Sequence, residues 1–250
     1  MNLIASLVVH NELDRYLLPC VKHLTEFCDD VRVFDDGSTD GTREALAGID
    51  RVTYRQQEQS TFYAHEGQTR EKALNFAREA NPTHVLAIDA DEFIDDGARF
   101  RKMVEGSQQD VLTLHMEEVW KANTKTIATR EDGGWRQHPV PIVWRVTRQM
   151  RGPWSMPNKA LACGRVPLGV VRSRYRVQAT GVSILHFGWA NVADRQERYQ
   201  RYVEADGGRF HASRHLQSIM FPDDRVILRT REWPAALQKH KAAIARRAAK

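Results

Sequence analysis

Three polar clusters carry the side chains that could do chemistry in this chain. They are His10-Asn11-Glu12, Asp35-Asp36-Gly37-Ser38 and Asp89-Ala90-Asp91-Glu92, and each follows a short apolar run typical of a buried strand. Ligands of open parallel sheets bind at the carboxyl ends of the strands, so we expect the three clusters to converge on one site. Carboxylates as close as those of the third cluster repel one another unless a cation joins them, and oxygen ligands favour Mg²⁺ or Mn²⁺.

The acidic clusters also have simpler interpretations. Asp36, Ser38, Asp40 and Gly41 match the first ligand positions and the glycine of a calcium-binding loop, but Ala47 stands where its last ligand, a glutamate, is required. A turn at Asp36, followed by a hydroxyl cap on the next helix, explains the glycine and the hydroxyls without a ligand. The third cluster could likewise be a turn that caps a helix.

The elements that must position these clusters alternate along the first 93 residues. The sequence predicts strands over 3–9, 31–34, 52–55 and 84–93, and helices over 13–24, 42–46 and 66–80. This alternation predicts an α/β fold with a Rossmann-like, mostly parallel sheet flanked by helices. The later pattern is less regular. It predicts strands over 110–119, 142–146 and 182–189, a loop over 121–137, a turn segment over 152–161 and helices over 191–206 and 233–250.

Composition indicates a globular chain with two differently charged parts. Of 250 residues, 42% are apolar and 28% charged, and no apolar run resembles a signal peptide or a membrane span. The three cysteines are widely spaced, which indicates reduced thiols and a cytoplasmic location. Residues 1–110 carry 12 Lys/Arg against 21 Asp/Glu, whereas residues 111–250 carry 25 against 11. The second part is therefore suited to an anionic partner or simply has a solvated basic surface.

The ordered motifs resemble those of family 2 glycosyltransferases of the GT-A fold. The resemblance rests on Asn11-Glu12 after the first strand, the DDGSTDGT stretch (35–42) after the second, and the DADE stretch (89–92) after the fourth. Between them, the GQTREKAL stretch (67–74) is similar to the family's Gly-x-x-Arg-Asn-x-Ala-Leu helix, with Arg70 in the arginine position and Glu71 replacing the usual Asn. The similarity covers residues 2–95.

The resemblance implies transfer of a sugar, with inversion, from a nucleotide sugar of the UDP type to an acceptor hydroxyl. Asp36 would accept a hydrogen bond from the base, and Arg70 would face the base or the diphosphate. Asp91 would hold Mn²⁺ or Mg²⁺, with Asp89 on the ribose or the metal. The implied donor-binding residues are Val9, His10, Glu12, Asp35, Asp36, Arg70 and Asp89. The expected organisation is a donor-binding α/β half (1–110), a smaller mixed acceptor-binding region (111–190) and basic C-terminal helices (191–250).

The second half matches the family less well. His186 resembles a late histidine that contacts the metal or the diphosphate, although a histidine at a strand end is also common in structural roles. Many relatives carry a His-Glu pair where this chain has Asn158-Lys159, so the general base is sought at Glu117 or Glu118, beside Asp91 as the other catalytic residue. Three residues could close over the site or pack in the core: Trp189, Arg195 and Tyr199.

The acceptor is open at this stage. Basic groups at Arg145, Arg148 and Arg151, at Arg172, Arg174 and Arg176, and in the last helix favour a phosphate-rich acceptor. An envelope glycan or glycolipid ranks ahead of DNA with a hydroxymethylated base, and a protein comes third. Two other classes remain. A nucleotidyltransferase would share the sheet but needs a Gly-rich basic loop after the first strand. A non-catalytic nucleic-acid-binding protein explains the charge but not the acidic clusters.

Overall fold

Strands and helices alternate through the first half of the chain, as the sequence predicts. The computed structural model describes residues 1–147, 164–171, 176–205 and 214–249. The strands of the first half are β1 (Leu3–Val9), β2 (Asp30–Asp35), β3 (Val52–Gln56), β4 (His84–Ala87) and β5 (Glu92–Ile94). Its helices are α1 (Leu17–Leu24), α2 (Thr42–Leu46), α3 (Phe62–Arg78) and α4 (Gly97–Gly106).

The second half adds long strands and further covering helices. Its strands are β6 (Val111–Ala122), β7 (Thr126–Arg130), β8 (His138–Arg145), β9 (Arg176–His186) and β10 (Leu228–Glu232). Its α-helices are α5 (Leu168–Val171), α6 (Val192–Ala205), α7 (Arg214–Gln217) and α8 (Lys241–Ala248). Short 3₁₀ turns lie at Gly133–Trp135, Ser218–Met220, Asp223–Arg225 and Ala235–Leu237.

One mixed sheet joins the two halves. Its strand order is β10-β7-β6-β8-β4-β1-β2-β3, and the four strands β3, β2, β1 and β4 run parallel. β8 pairs antiparallel with β4 and with β6, while β9 runs antiparallel to β5 and parallel to β6. The predicted α/β class, with a parallel first half and a mixed second region, is confirmed. The carboxyl ends of β1, β2 and β4 lie at the same edge, as the predicted convergence of the polar clusters requires.

The continuous apolar sequence of β1 reflects burial on both of its faces. Leu3, Leu7 and Val9 belong to the largest core cluster. Val8, which points to the other face, packs against a smaller cluster that includes Phe34 of β2 and Phe76 of α3. Because side chains alternate along a strand, an apolar residue is needed at nearly every position of β1. The apolar run therefore ends where β1 leaves the core, and the first polar cluster begins there.

The expected single strand over 84–93 is wrong, because the chain turns at the acidic cluster. β4 ends at Ala87, and β5 resumes at Glu92 with a different partner, β9. The turn is closed by the Glu92 amide, which donates to the Asp89 carbonyl at 3.1 Å, and by the Asp89 amide, which donates to the Glu92 carboxylate at 3.0 Å. This turn places Asp89, Ala90 and Asp91 at the sheet edge.

The expected loop over 121–137 and the expected helix over 233–250 also differ from the structure. β7 occupies part of the loop, and Asn123 makes the preceding turn by accepting from the backbone amides of Lys125 and Thr126 at 2.8 and 2.9 Å. The edge strand β10, which the sequence pattern does not predict, pairs antiparallel with β7. Proline at position 234 delays the terminal helix, so a 3₁₀ turn comes first and α8 begins at Lys241.

The proposed boundaries at residues 110 and 190 fall between α4 and β6 and between β9 and α6. The largest core cluster nevertheless contains residues of all three segments, for example Leu7, Leu114 and Ile244. The three-part division stays a prediction. Within the part of the chain that the structure describes, no helix has both the length and the apolar character needed to cross a membrane.

Candidate active site

A cavity of about 200 Å³ opens at the carboxyl ends of β1 and β4. One wall of the cavity is apolar and aromatic. The N-terminal part of α3 and one face of α6 complete the cavity. Its lining residues are Val8, Val9, His10, Glu12, Phe62, Tyr63, Glu66, Arg70, Asp89, Ala90, Asp91, Arg198, Arg201 and Tyr202. The first and third polar clusters of the sequence therefore meet here, together with the predicted Arg70.

Asp91, His186 and Glu118 form a line of polar contacts at one end of this cavity. The Nε2 atom of His186 lies 3.6 Å from an Asp91 carboxylate oxygen, and its Nδ1 atom lies 2.5 Å from Glu118. Strand register brings them together, because His186 of β9 is paired with Glu92 of β5 on one side and with Glu118 of β6 on the other. Burial opposes the charge on His186, but Glu118 and Asp91 outweigh it and raise the pKa of the imidazole well above its usual value.

Arg198 of α6 contacts the other oxygen of Asp91. Burial disfavours ionisation of Asp91, but Arg198 and then His186 outweigh burial and hold the pKa of the carboxyl far below its usual range. The guanidinium of Arg198 also lies 5.2 Å from the ring centre of Trp189. Trp189 in turn packs edge-on against Trp135, with ring centres 5.0 Å apart. Asp91 is therefore held between a histidine and an arginine that favour its ionised form.

These three groups converge on one point beside Gly188. Gly188 borders it, and a methyl group added there would lie 2.6 Å from Nε2 of His186 and 2.7 Å from both Asp91 and Arg198. A carboxylate oxygen and an imidazole nitrogen therefore face one small volume, which a protein cation already enters. The Glu118 carboxylate on the far nitrogen of His186 is the outer-shell arrangement that orients metal-binding histidines. The residues present thus fit a divalent cation on Asp91 and His186.

Asp89 and Glu92 are clamped by arginines on the opposite side of the turn. Asp89 lies 3.1 Å from Arg70 and 3.7 Å from Arg165, and Arg165 also contacts Glu92. Burial opposes ionisation of Asp89, but Arg70 and Arg165 outweigh it and lower the pKa of its carboxyl. The guanidinium of Arg70 lies 5.3 Å from the ring centre of Phe62. Asp89 is accordingly a cavity residue whose charge is balanced by protein cations.

The second polar cluster lies behind the cavity wall and does not line it. Asp36 is buried and accepts hydrogen bonds at the start of α3, from Ser60 Oγ at 2.6 Å, the Phe62 amide at 2.9 Å and the Thr61 amide at 3.0 Å. Asp35 is buried too, and it accepts from the Tyr54 hydroxyl at 2.5 Å. In this structure both carboxylates are therefore occupied by protein donors. The hydroxyl cap of the simpler interpretation is not found, because α2 has Gly41 at its N-cap and no side-chain cap there.

His10 and Glu12 do line the cavity, beside Val9. The Nδ1 atom of His10 donates to the Asp36 carbonyl at 2.8 Å, which fixes the orientation of the ring. Glu12 sits 3.8 Å from Arg15. Burial raises the pKa of Glu12 to about 7, although Arg15 counteracts the shift. Glu12 thus has a protonation equilibrium near neutral pH.

The two candidate bases, Glu117 and Glu118, have other partners. Glu118 holds His186, and burial of its carboxyl is outweighed by His186, which lowers its pKa. Glu117 points to the other face of β6, where Arg231 lies 2.9 Å away. Neither lines the cavity. The Asn158-Lys159 pair, the 152–161 segment and Cys163 lie outside the described residues.

The face of α6 that lines the cavity is not the face of Arg195 and Tyr199, which the sequence suggests for closure over the site. Arg195 lies 4.2 Å over the Trp120 ring, and Tyr199 packs in the same aromatic cluster, so both are core residues. The cavity instead receives Arg198, Arg201 and Tyr202. Their i, i+3, i+4 spacing places them on one face of the helix. The sequence shows this face but does not show that it points into the cavity. Arg165, on no predicted element, was also missed.

Part of the charge asymmetry is explained by ion pairs between the two halves of the chain. Acidic residues of the first half are neutralised by basic residues of the second, which reduces the charge available to a polyanion. These pairs are Asp89 and Glu92 with Arg165, Asp91 with Arg198, and Glu26 with Lys239. Arg145 faces Asp110. Arg148, Arg151, Arg172, Arg174, the side chain of Arg176 and Lys250 lie outside what the structure describes.

A second group of ligand-type side chains lies away from the cavity, between α1 and the C-terminal segment. Ligand atoms of His23, Glu26 and His240 lie within 4.8 Å of one another. Lys239 already contacts Glu26 at 2.8 Å, and His240 does so at 2.7 Å. His23 donates from Nε2 to the Ile94 carbonyl at 2.9 Å, and burial lowers its pKa to about 4. This group fastens the C-terminal segment to α1.

The sheet and its edge cavity have the architecture of the GT-A fold. The chain belongs to the family described as Glycosyl transferase family 2, whose sequence profile matches residues 6–163, and the predicted membership is confirmed. The fold is similar to that of S. aureus TarS. A structure of TarS residues 1–349 has a TM-score of 0.53 at 14% identity, over 86% of this chain and 73% of that one. A longer TarS structure has a TM-score of 0.52 at 15% identity, over 90% of this chain and 46% of that one.

Two mycobacterial proteins are related along most of the sequence. They are the uncharacterized protein Rv3786c of Mycobacterium tuberculosis and the uncharacterized protein Mb3815c of Mycobacterium bovis. Each is 25% identical over 218 residues, which is 82% of this chain and 51% of the relative. The chain thus spans about half the length of these curated relatives.

Proposed function

We propose that the protein transfers a sugar from a nucleotide sugar to an acceptor hydroxyl. The observation that carries the proposal is the cavity at the edge of the sheet, where Asp91, held between His186 and Arg198, faces an aromatic wall. Family membership supports the same reaction class. A non-catalytic nucleic-acid-binding protein would have no need of a buried, charged Asp91 at this place.

The donor would lie with its base toward β1 and its diphosphate toward the arginines. Val9, Phe62 and Tyr63 offer apolar and aromatic surface for stacking, and His10 has a ring fixed at the strand end. Arg70, Arg198 and Arg201 are the cations of the lining, suited to phosphate oxygens. We propose a uridine diphosphate sugar, on the family resemblance together with the size and chemistry of this wall.

Asp91 and His186 would hold Mn²⁺ or Mg²⁺. When bound, the metal would neutralise charge on the departing nucleoside diphosphate. The protein's own contribution is to keep Asp91 ionised and to aim Nε2 of His186, which Glu118 holds through the opposite nitrogen. We therefore assign Glu118 to positioning His186 and not to removing the proton of the acceptor. Inversion, as the family resemblance implies, requires the acceptor to approach from the face opposite the diphosphate.

For the acceptor we propose a hydroxyl of a glycan or glycolipid. Ion pairs between the two halves weaken the argument for a polyanion, since Arg165, Arg198 and Lys239 are already neutralised. The test is the salt dependence of acceptor binding, because each phosphate contact steepens the fall in affinity with salt. Binding of duplex DNA that weakens steeply with salt, together with no binding of neutral glycans, would instead favour a DNA acceptor.

The decisive experiment is calorimetric titration with a panel of UDP-, GDP- and dTDP-sugars, each with and without Mn²⁺. We expect one nucleotide class to bind with Mn²⁺, and Asp91→Asn to lose at least tenfold in affinity because the metal loses its charged ligand. Asp14→Asn is the matched control, since Asp14 is exposed and outside the cavity. If the wild-type protein binds no nucleotide sugar, or Asp91→Asn binds as well as wild type, the proposal is wrong.

A further inference from the structure

Arg198 contacts the carboxylate that would hold the metal ion. Its guanidinium contacts Asp91, and both groups lie near Nε2 of His186 beside Gly188. A divalent cation on Asp91 and His186 would therefore lie within a few ångströms of the guanidinium. At that separation two cations repel strongly, particularly in a partly buried site, so both cannot remain in contact with Asp91.

Arg198 also has hydrogen-bonding capacity that the described part of the protein does not use. Its Nε atom is buried and has no hydrogen-bond partner among the described residues. The neighbouring Arg201 differs, because it donates to the Tyr63 hydroxyl at 3.0 Å and to Glu197 at 3.2 Å. A planar guanidinium with an unpartnered N–H group inside a cavity matches the oxygens of a phosphate group.

The charges of the lining give the exchange a direction. Among the residues that the structure describes, the cavity is lined by the acids Glu12, Glu66, Asp89 and Asp91 and by the cations Arg70, Arg198 and Arg201. Arg70 is already bound to Glu66 at 2.7 Å and to Asp89 at 3.1 Å. The described lining therefore offers no surplus of positive charge to a diphosphate that enters without a metal. A metal that enters without a diphosphate must displace Arg198 from Asp91, and Glu12, another cavity acid that acts on Arg198, already has Arg15 as its partner.

We propose that Arg198 is an exchangeable cation that pairs with Asp91 in the ligand-free enzyme and moves to the diphosphate when metal and nucleotide are bound. This inference rests on the proposed function and adds a role that the family assignment does not contain. It makes the binding of metal and of nucleotide mutually dependent. The metal takes Asp91 from Arg198, and the diphosphate then becomes the new partner of Arg198. The diphosphate takes Arg198 from Asp91, and the metal then becomes the new partner of Asp91. Such coupling is reciprocal: the factor by which UDP strengthens Mn²⁺ binding equals the factor by which Mn²⁺ strengthens UDP binding.

The test compares wild type with Arg198→Gln in two measurements that need no turnover. Free Mn²⁺ is followed by electron paramagnetic resonance to obtain the affinity for Mn²⁺ alone. UDP binding at saturating Mn²⁺ is followed by calorimetry. In Arg198→Gln we expect Mn²⁺ alone to bind about tenfold more tightly, and UDP with Mn²⁺ to bind about tenfold more weakly, in the range of ordinary coupling energies. These opposite shifts cannot come from general loss of structure, which would weaken both.

Arg201→Gln is the matched control, because it removes a second cation from the same helix and the same cavity. We expect its affinity for Mn²⁺ alone to change less than twofold. Arg198→Lys keeps the charge and serves as a second variant should the glutamine variant fail to fold; it should bind Mn²⁺ alone as wild type does but still weaken UDP. Unchanged or weaker binding of Mn²⁺ alone by Arg198→Gln overturns the exchange. If the wild-type protein binds UDP and Mn²⁺ has no effect on that binding, the exchange is wrong but nucleotide binding stands. Absence of binding of UDP, GDP and dTDP by the wild-type protein refutes the proposed function itself.

Discussion

Asp36 offers the sharpest separation between a structural and a donor-binding role. The resemblance assigns it to the base of the donor, whereas the structure buries it against the start of α3. Its oxygens accept from the Thr61 and Phe62 amides, Ser60 Oγ and the Gln57 side chain. We predict that Asp36→Asn mainly destabilises the fold.

The size of the effect follows from the number of donors. The side-chain amide that this substitution introduces would keep one oxygen, but its other end would be an NH₂ group facing protein donors whichever way it turns. At least one hydrogen bond to a charged acceptor is lost, worth about 1.5–3 kcal/mol, and one buried donor is left without a partner at a cost of about 1–3 kcal/mol. Partial relaxation, for example rotation of the Ser60 hydroxyl, reduces the sum, and we expect the free energy of unfolding to fall by about 3 kcal/mol.

Urea unfolding measures this change, and calorimetry with UDP and Mn²⁺ at low temperature measures the donor affinity of the folded fraction. Asp40→Asn is the control, because Asp40 also accepts from two backbone amides, those of Leu13 and Thr42, but is half-exposed. Water can replace its lost bonds, so we expect a cost below about 1 kcal/mol. An Asp36→Asn protein of unchanged stability that has lost more than tenfold in UDP affinity would refute the reasoning.

Three further predictions concern the metal position and the contact between α1 and the C-terminal segment. Gly188→Ala places a methyl group 2.6–2.7 Å from His186 and Asp91 and should lower Mn²⁺ affinity at least tenfold, as measured by paramagnetic resonance; unchanged affinity would locate the cation elsewhere. Glu118→Gln should weaken Mn²⁺ binding about tenfold, as outer-shell changes usually do, and full retention would contradict the positioning role. The pKa of His23 is lowered by burial to about 4, so its neutral form is favoured on folding and the stability it contributes is complete above pH 6.5 and lost as the pH falls toward 4. Urea unfolding between pH 7 and pH 4 should show an acid loss about 3 kcal/mol smaller in His23→Asn than in wild type, and equal losses would contradict the assignment.

The sequence was sufficient for the parts of the site that follow directly from strand ends. A continuous apolar run predicts a strand buried on both faces, and the polar residue that ends it must lie at the sheet edge. His10, Glu12, Asp89 and Asp91 lie in the cavity for this reason. Arg70 could be found because the GQTREKAL stretch that carries it resembles a motif of the family. Strand alternation thus carries information about position as well as about secondary structure.

The missed features depend on contacts that are distant in the sequence. The rotation of α6, which selects Arg198 over Arg195, is set by the packing of Trp120 and Trp189 and not by the helix's own pattern. The role of Asp36 depends on the backbone of α3, about 25 residues later. The sequence predicts a loop at β7 because the neighbouring segments are polar, but β10, almost 100 residues away, pairs with it as a strand.

The pairing of β9 with β5 and β6 has a consequence for how the protein is made on the ribosome. Asp91 is synthesised early, but His186 and Arg198 emerge about 100 residues later, and β4 gains its neighbour β8 only in between. Contacts so distant along the chain form slowly, and until they form, the open edges of β4 and β5 can pair with other chains. During that interval the acidic turn at 89–92 has neither of its second-half arginines to balance its charge. Nascent chains halted near residue 110 should therefore depend on chaperones, and the donor half should gain its ligand-binding capacity only after α6 has been synthesised.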